Sequence, residues 1–283
     1  RKRLAIGIFL FMGLWVAAQP RLGPRWEEEV ATHFGPGQES YKPCNADEMA
    51  LLAEQAAWMG RGQAQPPPCS LTRVEKWPDG SWLIEPIEQK GWGLLLCRPR
   101  GSGWILQVPH PLADRHTSTL AWQLFQRLPF DALVLGGCHR RNRADGRSDL
   151  AHTPISAFMG WHQGLTLSGT RVVMQLHGFE ASKDRKNMPM PPDLDFIVAD
   201  GSGHPPDDGP AWRLFQGLRG GPRGILAGPT QPWMLATSNT QAQDLRRTRG
   251  AAFVHLELDS RVRQPQRHPQ TLDWLVKGLQ SAF

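Results

Sequence analysis

Four short polar clusters of this chain follow or interrupt apolar runs, at residues 108–117, 137–143, 174–179 and 253–263. They carry side chains that bind metals or move protons, namely His110, Asp114, His177 and Glu257. Ligands of open α/β sheets bind at the C-terminal ends of the strands, so we expect the clusters to converge there. Two histidines and two carboxylates at one place are typical of a metal-assisted hydrolytic site.

The first cluster predicts half of a zinc site. His110 follows an apolar run and Asp114 comes four residues later, which lets an imidazole and a carboxylate reach one metal ion. Asp114 could instead cap the helix that follows, and His116 is an alternative ligand. The pair Asp149 and His152 could also supply ligands, or could orient them from a second layer.

His177 ends the apolar run 172–176 and precedes Gly178, which permits a tight turn after the strand. A histidine there is either satisfied within the core or turned toward a cleft. Because His110 has the same position relative to its own strand, we interpret both as metal ligands.

Glu257 lies between Leu256 and Leu258 inside an apolar run. A buried carboxylate is costly unless it is paired or functional, and burial raises its pKa toward that of a general base. An ion pair with Arg261 or Arg263 is the alternative and is compatible with catalysis.

The second cluster is a cationic loop. The guanidinium groups of Arg140, Arg141 and Arg143 could grip a substrate carboxylate as bidentate forks, with Asn142 beside them. One of these arginines, for which we choose Arg143, could polarise a scissile carbonyl.

Apolar periodicity predicts the elements that carry these clusters. Strands and helices alternate from residue 104 onward, which favours an α/β fold with a mixed, largely parallel twisted sheet flanked by helices. Asp79-Gly80 predicts a β-hairpin turn. The expected strands are 104–108, 132–136, 172–176, 196–199 and 252–258, and the expected helices are 46–59, 118–128, 154–165, 211–217, 240–247 and 270–283.

The N-terminus has the layout of a secretory signal peptide, with Arg1-Lys2-Arg3 before an uncharged apolar run that ends at Ala18. We therefore predict an exported protein, periplasmic or extracellular, with no stable membrane span after cleavage. The expected organisation is a signal peptide at 1–18, an N-terminal arm with a short helix at 19–75, irregular over 20–43, and an α/β domain at 76–283.

Four cysteines in an exported chain predict two disulfides, for which we choose Cys44 with Cys69 and Cys97 with Cys138. The net charge is +6, but the arginines are dispersed and the tryptophans lie in apolar runs. We therefore do not expect a nucleic-acid partner.

These motifs together resemble the zinc metallocarboxypeptidase superfamily, in particular its N-formylglutamate amidohydrolase and poly-gamma-glutamate hydrolase branches. The resemblance covers about residues 104–283. It implies a metallocarboxypeptidase-like fold and a single Zn²⁺ held by His110, Asp114 and His177, with Glu257 as the base. It further implies that Asn142 and Arg143 bind a substrate carboxylate and that Arg263 matches the arginine that follows the family's glutamate.

The combined expectation is a zinc-dependent hydrolase whose metal lowers the pKa of a bound water to about 7. Its substrate would be a peptide or acylated amino acid with a free carboxylate, such as a cell-wall peptide. Two alternatives remain: a metal-dependent esterase or phosphoesterase that also uses Asp149 and His152, and a non-catalytic envelope protein that binds a ligand. No G-x-S-x-G nucleophile elbow is present.

Overall fold

The apolar runs build one mixed β-sheet. A computed structural model describes residues 24–61, 67–98, 101–181, 190–248, 251–264 and 269–283. Nine strands pair in the order β1-β2-β3-β5-β4-β6-β9-β7-β8. Their bounds are β1 Thr72–Lys76, β2 Trp82–Pro86, β3 Leu94–Cys97, β4 Trp104–Val108, β5 Ala132–Leu135, β6 Val172–Phe179, β7 Phe196–Ala199, β8 Gly224–Leu226 and β9 Ala252–Asp259.

The four central strands, β5, β4, β6 and β9, run parallel. Both flanks of the sheet join this centre through antiparallel pairs, β3 with β5 on one side and β7 with β9 on the other. The predicted α/β fold with a mixed sheet is thus confirmed. The parallel centre gathers the C-terminal ends of β4, β5, β6 and β9 at one edge, where the four polar clusters follow.

Seven helices lie in the described part of the chain. Their bounds are α1 Pro24–Phe34, α2 Ala46–Gly60, α3 Thr117–Arg127, α4 Ala157–Thr166, α5 Pro210–Leu218, α6 Thr240–Thr248 and α7 Thr271–Gln280. Leu120, Leu214 and Leu275 place α3, α5 and α7 in the core on one face of the sheet. Leu52, Trp161 and Leu245 place α2, α4 and α6 in a second core on the other face. The strands are therefore covered on both faces, as parallel strands require.

Helix α1 was not expected, because proline, glycine and charge dominate residues 20–43. Trp26, Val30 and Phe34 nevertheless recur every four residues and form one apolar stripe of the helix. Trp26 and Phe34 are buried in the two cores, and Val30 packs against both. Tertiary burial of this stripe stabilises a segment that its composition alone describes as irregular.

Helix α2 is fixed by close packing against α4. A Cβ added at Gly164 would lie 2.1 Å from the carbonyl oxygen of Ala53, so only glycine allows this approach.

Strand β1, which spans the predicted boundary at residues 75 and 76, pairs with β2 in the expected hairpin. Residues on both sides of that boundary therefore belong to one sheet.

The predicted disulfides are wrong, since all four cysteines are free. Cys97 lies opposite Ala132 at the start of β5, whereas Cys138 follows the end of that strand. Strand β5 alone separates its two ends by about 10 Å, and a disulfide needs Cα atoms within about 7 Å.

The predicted signal peptide lies outside the described residues. In the described ranges, no helix has both the length and the apolar character that crossing a membrane requires.

Glu27 of α1 contacts the first turn of α3 from a distant part of the chain. Its carboxylate accepts a hydrogen bond from the Ser118 hydroxyl, while His116, the N-cap residue of α3, makes no side-chain capping bond. Burial raises the pKa of Glu27 to about 7, although contacts with Thr119 and the charge of Arg115 oppose the rise.

This contact predicts a stability that depends on pH. The folded state holds the Glu27 proton more tightly than the unfolded state, so the stabilisation present below pH 4.5 is lost as the pH rises to about 7. In Glu27→Gln, the decrease in the free energy of unfolding over this pH range should be smaller by about 1 to 2 kcal/mol. This value is discounted because the carboxyl is partly exposed. Urea unfolding at pH 5 and pH 8 measures it, and Glu29→Gln on the same helix is the control. Equal pH dependence in wild type and Glu27→Gln would contradict the prediction.

Candidate metal and hydrolase site

Two neighbouring strands place four polar side chains on one face of the sheet. In the pairing of β6 with β9, Gln175 lies opposite His255 and His177 lies opposite Glu257. Residues two apart on a strand point to the same face, so these side chains form a polar patch at the C-terminal edge. The intervening Leu176 and Leu256 point into the core of the opposite face.

His110 and Asp114 approach this patch from the segment after β4. The backbone N–H of Asp114 donates to the carbonyl of His110 over 2.8 Å, which closes one helical turn. Residues four apart on such a turn lie on the same side, and this is why the His-x-x-x-Asp spacing brings both side chains to His177.

Three potential ligand atoms meet in the resulting cluster. His177 Nδ1 lies 3.4 Å from Asp114 Oδ2, and His110 Nδ1 lies 3.8 Å from the same oxygen. The two imidazole rings stand edge to face with centroids 5.2 Å apart. All three side chains are buried, and their ligand atoms lie within 4.8 Å of one another.

A hydrogen-bond network fixes the orientation of His177. The amide nitrogen of Gln175 donates to the side-chain oxygens of Gln107 and Gln241, at 3.0 Å each. The amide oxygen of Gln175 accepts from Asn239 at 2.7 Å and faces His177 Nε2 at 3.1 Å. The hydrogen-bond network therefore assigns the proton of neutral His177 to Nε2. This leaves the lone pair of Nδ1 facing Asp114.

His110 is oriented in the same way by Asp149. His110 Nε2 lies 2.8 Å from Asp149 Oδ1, and a carboxylate only accepts, so Nε2 carries the proton. Its Nδ1 is buried without a hydrogen-bond partner and faces Asp114. Of the roles left open for Asp149, the geometry gives it the orienting one, and His116 does not join this group of ligand atoms.

The cluster thus turns two imidazole lone pairs and a carboxylate oxygen toward one point. Burial alone would raise the pKa of Asp114, but the contact with His177 and the charges of His110 and Arg140 hold it below its usual range. Burial lowers the pKa of His177 and favours its neutral form. Tetrahedral zinc at about 2.0 to 2.1 Å from its ligands places them about 3.4 Å apart, so these donors fit a zinc ion.

Glu257 lies beside the cluster and next to His255, which was not among the predicted site residues. His255 Nε2 is 3.6 Å from Glu257 Oε1, and the rings of His255 and His177 are 4.6 Å apart. Burial, together with the charges of His177 and His110, holds the pKa of His255 well below normal. The alternation His255-Leu256-Glu257 in an apolar strand could have indicated that both polar residues share a face.

Two residues of the cationic loop, Asn142 and Arg143, make contacts within the protein. The Asn142 side chain donates to the carbonyl of Gly35 at 2.7 Å and accepts from the N–H of Tyr41 at 2.8 Å. Arg143 forms a fork on Asp145, with Nη2 2.7 Å from the carboxylate. These contacts hold the loop and the N-terminal arm together. They do not turn either side chain toward the cluster of His110, Asp114 and His177.

Arg263 also has a structural position. Its buried guanidinium donates to the carbonyls of Leu258, at 3.0 Å, and Phe179, at 3.1 Å, and to that of Arg115. It lies so close to Gly178 that a Cβ there would be 2.4 Å from its Nε. Arg263 therefore ties three segments together, and its charge acts on Asp114 and Glu257. Its contact with a substrate stays a prediction.

Arg140 is the arginine of this loop whose charge acts on the cluster. Its side chain is exposed and near enough for its charge to act on Asp114, His177 and His152. Arg141 is also exposed, and its charge, like that of Arg140, acts on His139. The sequence placed three arginines in this loop but could not separate these roles.

The chain matches no protein-family model and no curated protein. Solved structures similar to it include a zinc-free apo form of YndL, at 14% identity and a TM-score of 0.42, with 67% of this chain and 90% of that chain covered. They also include N-formylglutamate amidohydrolase from Ralstonia eutropha JMP134, at 12% identity and a TM-score of 0.45, with 65% and 93% covered. The second structure has the name of one of the family branches that the sequence motifs resemble. Similarity at this level does not extend to activity, so the function proposed below rests on the geometry of the site.

Proposed function

We propose that this protein is a zinc-dependent hydrolase that cleaves an amide bond in a substrate with a free carboxylate. The observation that supports it most directly is the convergence of His110, Asp114 and His177. Two lone pairs and a carboxylate oxygen directed at one buried point repel one another unless a cation or a proton lies between them. Two imidazoles and a carboxylate are a donor set that suits catalytic zinc.

His110, Asp114 and His177 would hold the ion, and Asp149 and Gln175 would keep the two imidazoles in the ligating tautomer. When bound, zinc supplies Lewis acidity that lowers the pKa of water and polarises a carbonyl. Glu257, on the strand next to His177, is the carboxylate in position to take a proton from the attacking water. It would then deliver that proton to the leaving amine.

His255 supports this role of Glu257. Its neutral ring stands 3.6 Å from the Glu257 carboxylate and adds no positive charge beside it. We therefore assign His255 as a positioning residue for Glu257.

Arg140 is the group proposed to bind the substrate carboxylate. An exposed guanidinium beside a buried metal-binding site can anchor a free carboxylate while the amide enters the site. The esterase alternative used both Asp149 and His152 as additional metal ligands, but Asp149 contacts the ring nitrogen of His110 that is turned away from Asp114.

We further propose export for this protein, based only on the predicted signal at residues 1–18.

Hydrolysis of N-acyl amino acids by the zinc-loaded protein tests this function. Arg140→Ala should raise the KM for a free-carboxylate substrate by about 10- to 100-fold, because a charged hydrogen bond contributes about 1.5 to 3 kcal/mol. It should leave the KM for the matching carboxamide unchanged. Arg141→Ala is the matched control, since it removes an exposed arginine from the same loop. If no N-acyl amino acid or peptide of this class is hydrolysed, the proposed function is wrong.

A further inference from the structure

A serine, a histidine and an aspartate are linked by hydrogen bonds beside the cluster of candidate metal ligands. Ser238 Oγ is 3.3 Å from His152 Nε2, and His152 Nδ1 is 3.1 Å from Asp149 Oδ1. Ser238 is exposed, and about half of the His152 side chain is exposed. A serine, a histidine and an aspartate in this order form the arrangement that activates a serine nucleophile.

The tautomer of His152 is the one that a nucleophilic serine requires. The Asp149 carboxylate can only accept, so the proton of a neutral His152 lies on Nδ1. The lone pair of Nε2 then faces the Ser238 hydroxyl and can accept its proton. The hydrogen bond with Asp149 raises the pKa of His152, even though burial opposes the rise.

Three hydrogen bonds hold the two parts of this set together. The backbone N–H and the hydroxyl of Thr240 both donate to the carbonyl of Ala151, at 2.8 Å and 2.7 Å. The side chain of Gln241 donates to the carbonyl of Leu150 at 3.1 Å. The start of α6, just after Ser238, is thereby anchored to the residues between Asp149 and His152.

The segment that leads to Ser238 contains unusual backbone conformations. Met234 and Ala236 have φ values of 52° and 56°, which are unfavourable for residues other than glycine. Such conformations persist where the surroundings enforce them, and they concentrate at functional sites. Helix α6 begins two residues after Ser238, and the positive end of its dipole favours negative charge that develops near the serine.

We propose that Ser238, His152 and Asp149 form a second, metal-independent site that cleaves short activated carboxylic esters. The Ser238 oxygen attacks the ester carbonyl and its proton passes to His152 Nε2. The bond to the alcohol oxygen breaks, and the alcohol leaves with that proton. Water then hydrolyses the acyl-serine with His152 as the base, which releases the acid and restores the serine. Asp149 acts as the positioning residue that orients His152.

The class of substrate follows from exposure. Ser238 and His152 are both accessible to water. Charge stabilisation is weaker in water than in an enclosed site, so we assign reactivity toward activated esters rather than amides. The two proposed sites share Asp149, whose Oδ1 contacts both His110 and His152, but neither Glu257 nor a metal takes part in the ester cleavage.

Covalent labelling with diisopropyl fluorophosphate tests this site. Attack by Ser238 forms a phosphorus–oxygen bond and expels fluoride, while His152 takes the proton. We expect one label per chain on Ser238, located by peptide mass spectrometry, in both chelator-treated and zinc-loaded protein. Ser238→Ala should abolish labelling, and His152→Ala should slow it by about 100-fold or more, the usual contribution of a positioned base.

Ser202→Ala is the matched control. Ser202 is also exposed. Its hydroxyl donates to Asp200 at 2.6 Å and accepts from the backbone N–H of His204 at 2.9 Å. These contacts involve no imidazole, so loss of the hydroxyl should leave labelling unchanged. The inference is overturned if wild-type protein is labelled no faster than urea-unfolded protein. It is equally overturned if the label lies on another residue or if His152→Ala reacts at the wild-type rate.

Discussion

His177→Ala is expected to weaken zinc binding by more than about 100-fold. The substitution removes one of three buried donors and leaves the Asp114 carboxylate without its 3.4 Å contact. Losing a residue that only orients a ligand costs about 10- to 100-fold in affinity, so losing the ligand itself should cost more. Gln175→Ala, which removes the partner of His177 Nε2, should therefore show the smaller effect.

Competition with a chromophoric chelator and elemental analysis of the purified chain measure this loss. About one zinc per chain is expected for the wild type and little for His177→Ala or His110→Ala. Circular dichroism checks that each variant is folded, and His33→Ala removes an exposed histidine of α1 as the control. Full zinc occupancy in folded His177→Ala would exclude the proposed metal site.

Glu257→Gln is expected to keep zinc and to lower turnover by about 100- to 10,000-fold. Glutamine keeps the shape of the side chain but cannot accept the proton of the attacking water, and a positioned base contributes an acceleration of this size. Because Glu257 is not among the three proposed zinc ligands, zinc content should match that of the wild type. This combination separates loss of the base from loss of the metal.

Steady-state rates on a hydrolysed N-acyl amino acid, together with zinc content, measure the effect. Glu54→Gln, an exposed glutamate on α2, is the control for the same chemical change. Full activity of Glu257→Gln would show that the mechanism proposed here is wrong. Zinc loss in this variant would instead place Glu257 among the ligands.

The polar residues that the sequence indicated at strand ends do lie near one another, and the reason is local. Each of His110, His177 and Glu257 follows or interrupts an apolar run, and parallel strands bring such positions to one edge of the sheet. The four-residue spacing of His110 and Asp114 is closed by one turn of backbone. Patterns that act over a few residues were enough for these positions.

The arginine loop was less predictable because its contacts are with distant residues. Asn142 and Arg143 belong to a cationic run, yet Asn142 binds Gly35 and Tyr41, about a hundred positions earlier in the chain. Arg143 pairs with Asp145, two residues away. Charge and spacing alone do not specify which guanidinium is neutralised. Among Arg140, Arg141 and Arg143, it is Arg140 whose charge acts on Asp114 and His177.

The sequence by itself determined the α/β architecture, most helices and strands, and the candidate residues at the sheet edge, because apolar periodicity and strand ends are local properties. The tertiary structure alone decided the role of α1, whose stripe is stabilised by two distant cores. It also decided that His255 stands beside Glu257 and that Ser238 meets His152, 86 positions apart. Those contacts depend on strand register and loop anchoring, which arise only when the whole chain has packed.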